Sequence, residues 1–148
     1  MQDYRITTDL NEMDFEAIHG FLSESYWSAG IPKATLRKGL ENSLCFGILD
    51  GQNRLVGFGR MVTDKATFAY LADVFVVEAH RGKGLSKWLV STIQAHPDLQ
   101  GLRRIMLATG DAHGLYAQFG FEAIAQPEIL MQIWQPNIYQ SERLDTLE

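Results

Sequence analysis

The chain has 148 residues, 46% hydrophobic and 21% charged, a balance that excludes a disordered or fibrous segment and reads as one globular domain over 1–148. With 13 Lys and Arg against 18 Asp and Glu, the formal charge is −5, the wrong sign for a general nucleic-acid or anionic-membrane binder. Cys45 is the single cysteine, which excludes an intramolecular disulfide, and the absence of a leader-like start or of a run of about 18 apolar residues predicts a cytoplasmic, non-spanning protein.

Taken in chain order, Tyr4-Arg5-Ile6 predicts a short strand. Asp9, with Glu12 three residues later, has capping-box spacing and predicts a helix from near Leu10, its apolar face formed by Met13, Ala17, Ile18 and Phe21. Ser23-Glu24-Ser25 ends it. Tyr26 and Trp27 then stand at a break, and Pro32 opens a second, surface helix running to about Glu41. From Ser43 the period becomes extended: Leu44 to Leu49, a turn at Asp50-Gly51, Leu55 to Val62, a polar turn, and Thr67 to Val77 predict an antiparallel meander. A glycine loop, Arg81-Gly82-Lys83-Gly84-Leu85-Ser86, leads into the stripe Leu85, Trp88, Leu89, Thr92 and Ile93, a buried helix stopped by Pro97. Arg104 to Ala108 is a strand, and the crossover from Thr67 to Ala108 makes those two strands parallel neighbours in a mixed sheet. Ala112, Leu115, Tyr116 and Phe119 predict a short helix closed by Gly120. Phe121 to Ala125 and Ile129 to Trp134 predict a final pair of strands, followed by a polar tail over 136–148.

The glycine loop joins an apolar strand to an amphipathic helix, where unpaired N–H groups and the helix dipole face whatever fills the turn. Gly82 and Gly84 allow close backbone approach, and Arg81, Lys83 and Lys87 add positive charge with no acidic residue between them, so phosphate or pyrophosphate fits. A P-loop spacing is absent. A dinucleotide fingerprint needs a glycine where Lys87 stands and follows the first strand of a parallel unit rather than a meander. The four histidines, His19, His80, His96 and His113, show no i, i+4 pairing, so no metal site is expected. Cys45 reads as a core strand residue.

Two motifs in order, Arg81-x-x-Gly84-x-Ser86 after Val74-Phe75-Val76-Val77 and Leu115-Tyr116-Ala117-Gln118-Phe119-Gly120-Phe121, resemble the GCN5-related N-acetyltransferase (GNAT) family from Tyr4 to Trp134. The family's loop is Q/R-x-x-G-x-G/A, and Ser86 departs from its last slot. The resemblance implies an α/β (α+β) fold with a mixed, mostly antiparallel sheet, flanking helices and a splayed parallel pair at an acetyl-CoA cleft. It implies pantetheine pairing with Phe75, Val76 and Val77, pyrophosphate on Arg81, Gly82, Lys83, Gly84, Leu85 and Ser86, and further cofactor contacts from Thr109, Asp111 and Tyr116.

For the chemistry, direct transfer to an amine needs loss of the ammonium proton, oxyanion stabilisation and protonation of the leaving thiolate. Tyr116 matches the family's thiolate-protonating tyrosine and is the expected general acid; its stripe with Leu115 and Phe119 gives a core aromatic as the other reading. Asp73 lies in the otherwise apolar alternate set Ala69, Leu71, Asp73, Phe75 and Val77, which makes it either a base acting through water or a hydrogen-bonded structural carboxylate. Glu24, Tyr26 and Tyr70 are weaker base candidates, and Tyr26, Trp27 and Tyr70 are expected at the acceptor site. The expected activity is acetyl-CoA-dependent acetylation of a primary amine of a small molecule or peptide, without metal, nucleic acid or membrane partner. A non-catalytic acyl-CoA-binding sensor is the alternative. The resemblance also allows a homodimer through the final strands or tail.

Overall fold

The computed structural model describes residues 3–140, so residues 141–148 of the expected tail lie outside the described residues. Strands β1 (Arg5–Thr7), β2 (Leu44–Leu49), β3 (Leu55–Thr63), β4 (Phe68–Val76) and β5 (Arg104–Leu107) form one sheet in that order. Neighbours are antiparallel except β4 and β5, which run parallel from Phe68 opposite Arg104 to Leu71 opposite Leu107. The α/β class and the mixed sheet expected from the sequence are therefore what the chain builds. Helix α3 (Leu85–Ala95) makes the crossover. Helices α1 (Phe15–Leu22), α2 (Lys33–Glu41) and α4 (His113–Ala117) complete the regular elements.

Both faces of the sheet are covered, which is why its central strands read as nearly continuous apolar runs. On one face Phe46, Ile48, Met61 and Leu71 pack against Leu85, Leu89, Val90 and Ile93 of α3 and against Tyr116 of α4. On the other, Cys45, Leu49, Phe58 and Phe75 meet Ile18 and Leu22 of α1 and Leu36 and Leu40 of α2. The predicted surface helix thus buries a narrow stripe.

Two local expectations are corrected. The first helix starts at Phe15 rather than near Leu10, because residues 10–12 form one 3-10 turn capped by Asp9 and Met13 is extended. Glu12 is drawn to Arg5 and Thr7 instead of closing a capping box, and the α-helix begins where the Asp14 carboxylate accepts from Ala17 N–H at 3.2 Å. The final pair of strands does not form: Pro127–Ile129 makes a 3-10 turn and the residues around it are irregular. A lone two-stranded ribbon is marginal unless it docks on a sheet, and among the described residues this segment pairs with no strand.

Candidate active site

The β4–β5 ladder ends at Leu71 and Leu107, and two residues later the backbone of β4 is displaced. The register with β3 shifts between Phe58 and Arg60, so that Asp73 and Val74 share one partner position, and Asp73 takes a φ of 59°. This is a bulge whose left-handed residue is an aspartate, one of the few non-glycine types that tolerate it. Where the two parallel strands part, a cleft of about 540 Å³ opens, walled by residues 70–74 and 107–112 and crossed by Tyr26, Trp27 and Ser28.

The segment between α1 and α2 is held over this cleft by its own short side chains. Ser25 Oγ donates to Leu22 O at 2.7 Å and accepts from Ser28 N–H at 3.1 Å, both serines being buried. Gly30 turns the chain at φ 78° and closes the segment onto Ser23 O. Phe21 stacks on Phe75 with centroids 4.0 Å apart, Trp27 leans on Phe21, and Tyr26 meets Trp27 edge-on. Tyr26 remains 77% exposed, its hydroxyl lying 3.7 Å from where a Cβ on Gly110 would stand. The segment therefore bridges the cleft mouth.

Below it, Trp27 Nε1 donates to Asp73 Oδ1 at 2.8 Å, and Arg60 Nε donates to Asp73 Oδ2 at 2.6 Å. Arg60 also donates to Ser43 Oγ at 2.9 Å. Arg60 has no place among the sequence-derived site residues. Its signal is a lone charge between Gly59 and Met61 in an apolar strand, which demands a buried partner.

Tyr116 reaches the cleft from α4. Its ring is buried against the core and meets Phe121 edge-on, and burial, followed by the nearby Asp111 charge, pushes the phenol above its ordinary value. Among the described residues Asp111 makes no hydrogen bond or ion pair, whereas Thr109 Oγ1 accepts from Ala112 N–H at 3.0 Å to start the helical turn. Tyr26, Trp27, Tyr70, Asp73, Thr109, Asp111 and Tyr116 all line this one cleft. His113 does not, and Cys45 is buried in the core with its thiol pushed up to about 12 by burial.

The other expected cofactor residues lie past the cleft, at the end of β4 and the start of α3. Val77 N–H donates to Val56 O at 2.9 Å, so alternation along an antiparallel pair turns the main-chain groups of Val76 away from β3. Arg81 Nε caps the Val76 carbonyl at 2.9 Å. Gly82 and Gly84 sit at φ 81° and 80°, and the N–H groups from Gly82 to Lys87 have no partner among the described residues. That row of donors at the start of an 11-residue helix suits a diphosphate, and the Val76 N–H suits an amide-bearing arm. No group of three His, Cys, Asp or Glu able to hold a metal occurs among the described residues.

The acetyltransferase (GNAT) family model matches residues 8–121, more than half of the chain. The chain belongs to the GNAT acetyltransferase family. A GNAT candidate acetyltransferase from Xanthomonas campestris pv. campestris, known as a crystal structure, is 47% identical with a TM-score of 0.89, covering 92% of this chain and 96% of that one. A candidate acetyltransferase of Gibberella zeae is 32% identical over 138 residues, covering 78% of this chain and 77% of that protein. Glucosamine-6-phosphate N-acetyltransferase from Arabidopsis thaliana shares the fold at 14% identity, with a TM-score of 0.63 over 89% of this chain and 97% of that one. As a GNAT acetyltransferase the chain falls in the acyltransferase class. No helix among its described residues is long and apolar enough to cross a membrane.

Proposed function

We propose that this GNAT acetyltransferase moves an acetyl group from acetyl-CoA directly to a primary amine of a small molecule or peptide. The observation that carries the reading is the position of Tyr116. Its protonated phenol opens into the same cleft as the β4 bulge, at the point where β4 and β5 separate. In this reading the N–H groups of Gly82 to Ser86 hold the pyrophosphate and the Val76 N–H pairs with the pantetheine arm. Tyr116 gives its proton to the departing thiolate. A phenol kept protonated well past neutral pH is suited to donate there and unsuited to act as a base.

The acceptor enters beneath Tyr26 and Trp27. Arg60 balances Asp73, which leaves Asp111 as the uncompensated charge of the cleft lining, and the aromatic faces of Tyr26, Trp27 and Tyr70 favour a cation. Asp73 receives the amine proton through a water, using the lone pairs that Trp27 and Arg60 leave open. A second reading gives that task to Asp111, favoured by its lack of a donor among the described residues. The reduced single thiol and acidic surface agree with a cytoplasmic setting.

Turnover of acetyl-CoA against a panel of amines tests the proposal. Saturable CoA release that drops strongly in Tyr116→Phe supports catalysis. Tight CoA binding without turnover on any amine would instead make the protein a sensor. Comparison of Asp73→Asn with Asp111→Asn identifies the base as the variant whose acidic limb of kcat disappears.

A further inference from the structure

We infer that the acceptor is a primary amine with one positive charge and an apolar, ring-bearing tail, seated on a ledge that Val62, Phe68 and Tyr70 form beside the cleft. The inference rests on the acetyl-transfer reading and names the substrate class of that site. Tyr70 is the joint between the two surfaces: it lines the cleft and stands opposite Val62 in the β3–β4 ladder. Arg60 stands opposite Ala72, so alternation puts Arg60 and Val62 on the same face as Phe68, Tyr70 and Ala72. Met106 of β5 stands beside Tyr70 in the parallel register and joins that face.

Helices α1 and α2 cover this face at Phe58 and Phe75 but leave Val62 41% and Phe68 38% exposed. A lone exposed apolar side chain is ordinary; a contiguous set running out of a cleft marks a surface with an occupant. Two residues along a strand advance about 7 Å, so Tyr70 and Phe68 together span one aromatic ring and a short linker. Rings on both sides of such a contact pack edge-on or offset.

The ledge offers side chains alone. From Ala69 to Leu71, β4 is paired with β3 on one side and with β5 on the other, and its main-chain groups are used in those ladders. A peptide acceptor would bring N–H and C=O groups that find no main-chain partner here, whereas an apolar tail brings none. Charge narrows the class further. Asp111, the uncompensated carboxylate of the cleft lining, suits the single ammonium. At the far end of the ledge, Arg104 stands beside Phe68 in the register, exposed and with no ion pair among the described residues. A second ammonium on the tail would meet that guanidinium, which selects against a diamine.

The test measures acetyl-CoA turnover and calorimetric binding to the CoA-loaded protein for 2-phenylethylamine, ethylamine, 1,4-diaminobutane and a lysine peptide. The expected kcat/KM for 2-phenylethylamine exceeds that of each of the other three at least about tenfold, the usual effect of one buried apolar group. Val62→Thr/Phe68→Thr keeps strand-forming residues at exposed positions, and circular dichroism should stay native. It should lower the ratio of phenylethylamine to ethylamine kcat/KM about tenfold, while Phe68→Leu keeps most of that ratio. A preference for the diamine or the peptide overturns the inference, as does a ratio unmoved by the double variant, whether a second copy or residues 141–148 occupy the ledge. Equal losses in Phe68→Leu and Phe68→Thr overturn it too. Phenylethylamine binding that weakens in the double variant, with no turnover of any amine, overturns the acetyl-transfer reading and leaves the ledge in place. Neither binding nor turnover overturns both.

Discussion

The indole of Trp27 is hydrogen-bonded to the carboxylate of Asp73 at 2.8 Å, joining the segment over the cleft to the bulge beneath it across 46 positions of sequence. This bond ties the segment over the cleft to the strand that leads to the glycine loop. Trp27→Phe keeps a ring against Phe21 and removes the donor. The expected cost is about 1.5–3 kcal/mol in urea unfolding, the range for a hydrogen bond to a charged group. The acceptor KM should rise more than the CoA affinity falls. Unchanged stability and KM would mean that the roof is held by ring packing alone.

Arg60 supports the same carboxylate from below, with its side chain 22% and that of Asp73 6% exposed. Removing one partner leaves a largely buried charge unpaired, so Arg60→Met should lose about 3 kcal/mol in chemical denaturation. Arg60→Met with Asp73→Asn should recover part of that loss, because the orphaned charge is gone. A double variant as unstable as the sum of the singles would place the cost elsewhere.

The direction of the Tyr116 shift fixes a pH dependence. Its folded value is raised, so the proton-donating form is fully present below the ordinary phenol value near 10 and is lost only as pH rises through the folded value. The alkaline limb of kcat due to this group should therefore lie above about 10. Stability linked to the phenol follows the same sign, holding below that point and declining above it. Tyr116→Phe should lower kcat roughly 10²-fold while calorimetric CoA binding stays intact.

Gly84 caps α3 with a φ of 80°, where an added Cβ is strained whatever space surrounds it. Gly84→Ala should cost about 1 kcal/mol in thermal unfolding and weaken CoA binding by turning the row of N–H donors. Calorimetry that finds wild-type CoA affinity in this variant would move the diphosphate away from the loop.

The thiol of Cys45 has no solvent path and is pushed up to about 12, so thiolate is scarce at pH 8. A disulfide reagent should label it only as fast as the protein opens, and denaturant should speed labelling in step with unfolding. Rapid labelling of the native protein would contradict the burial of β2 against α2.

Much of the fold is legible because its signals are local. Asp50-Gly51 marks the turn between β2 and β3, the stripe from Leu85 to Ile93 marks α3, and the glycine loop lies between β4 and that helix. Asp73, Tyr116 and the aromatics Tyr26 and Trp27 can likewise be picked out by type and position. Their meeting in one cleft depends on the parting of β4 from β5, which no local pattern encodes. The two misread segments have the same cause. Glu12 found partners in β1 in place of a capping box, and Ile129 to Trp134 alternates like a strand but forms no ladder with a sheet edge among the described residues.

By itself the sequence determined the order and type of the main elements, the loop that suits a diphosphate, and the family, because periodicity, turn chemistry and motif spacing act over a few residues. Only the tertiary structure decided that Asp73 sits left-handed at a bulge, clamped by Trp27 and Arg60, and that Tyr116 faces the same space. Those relationships join residues 13 and 46 positions apart or more, and they exist only once packing on both faces of the sheet has brought the elements together.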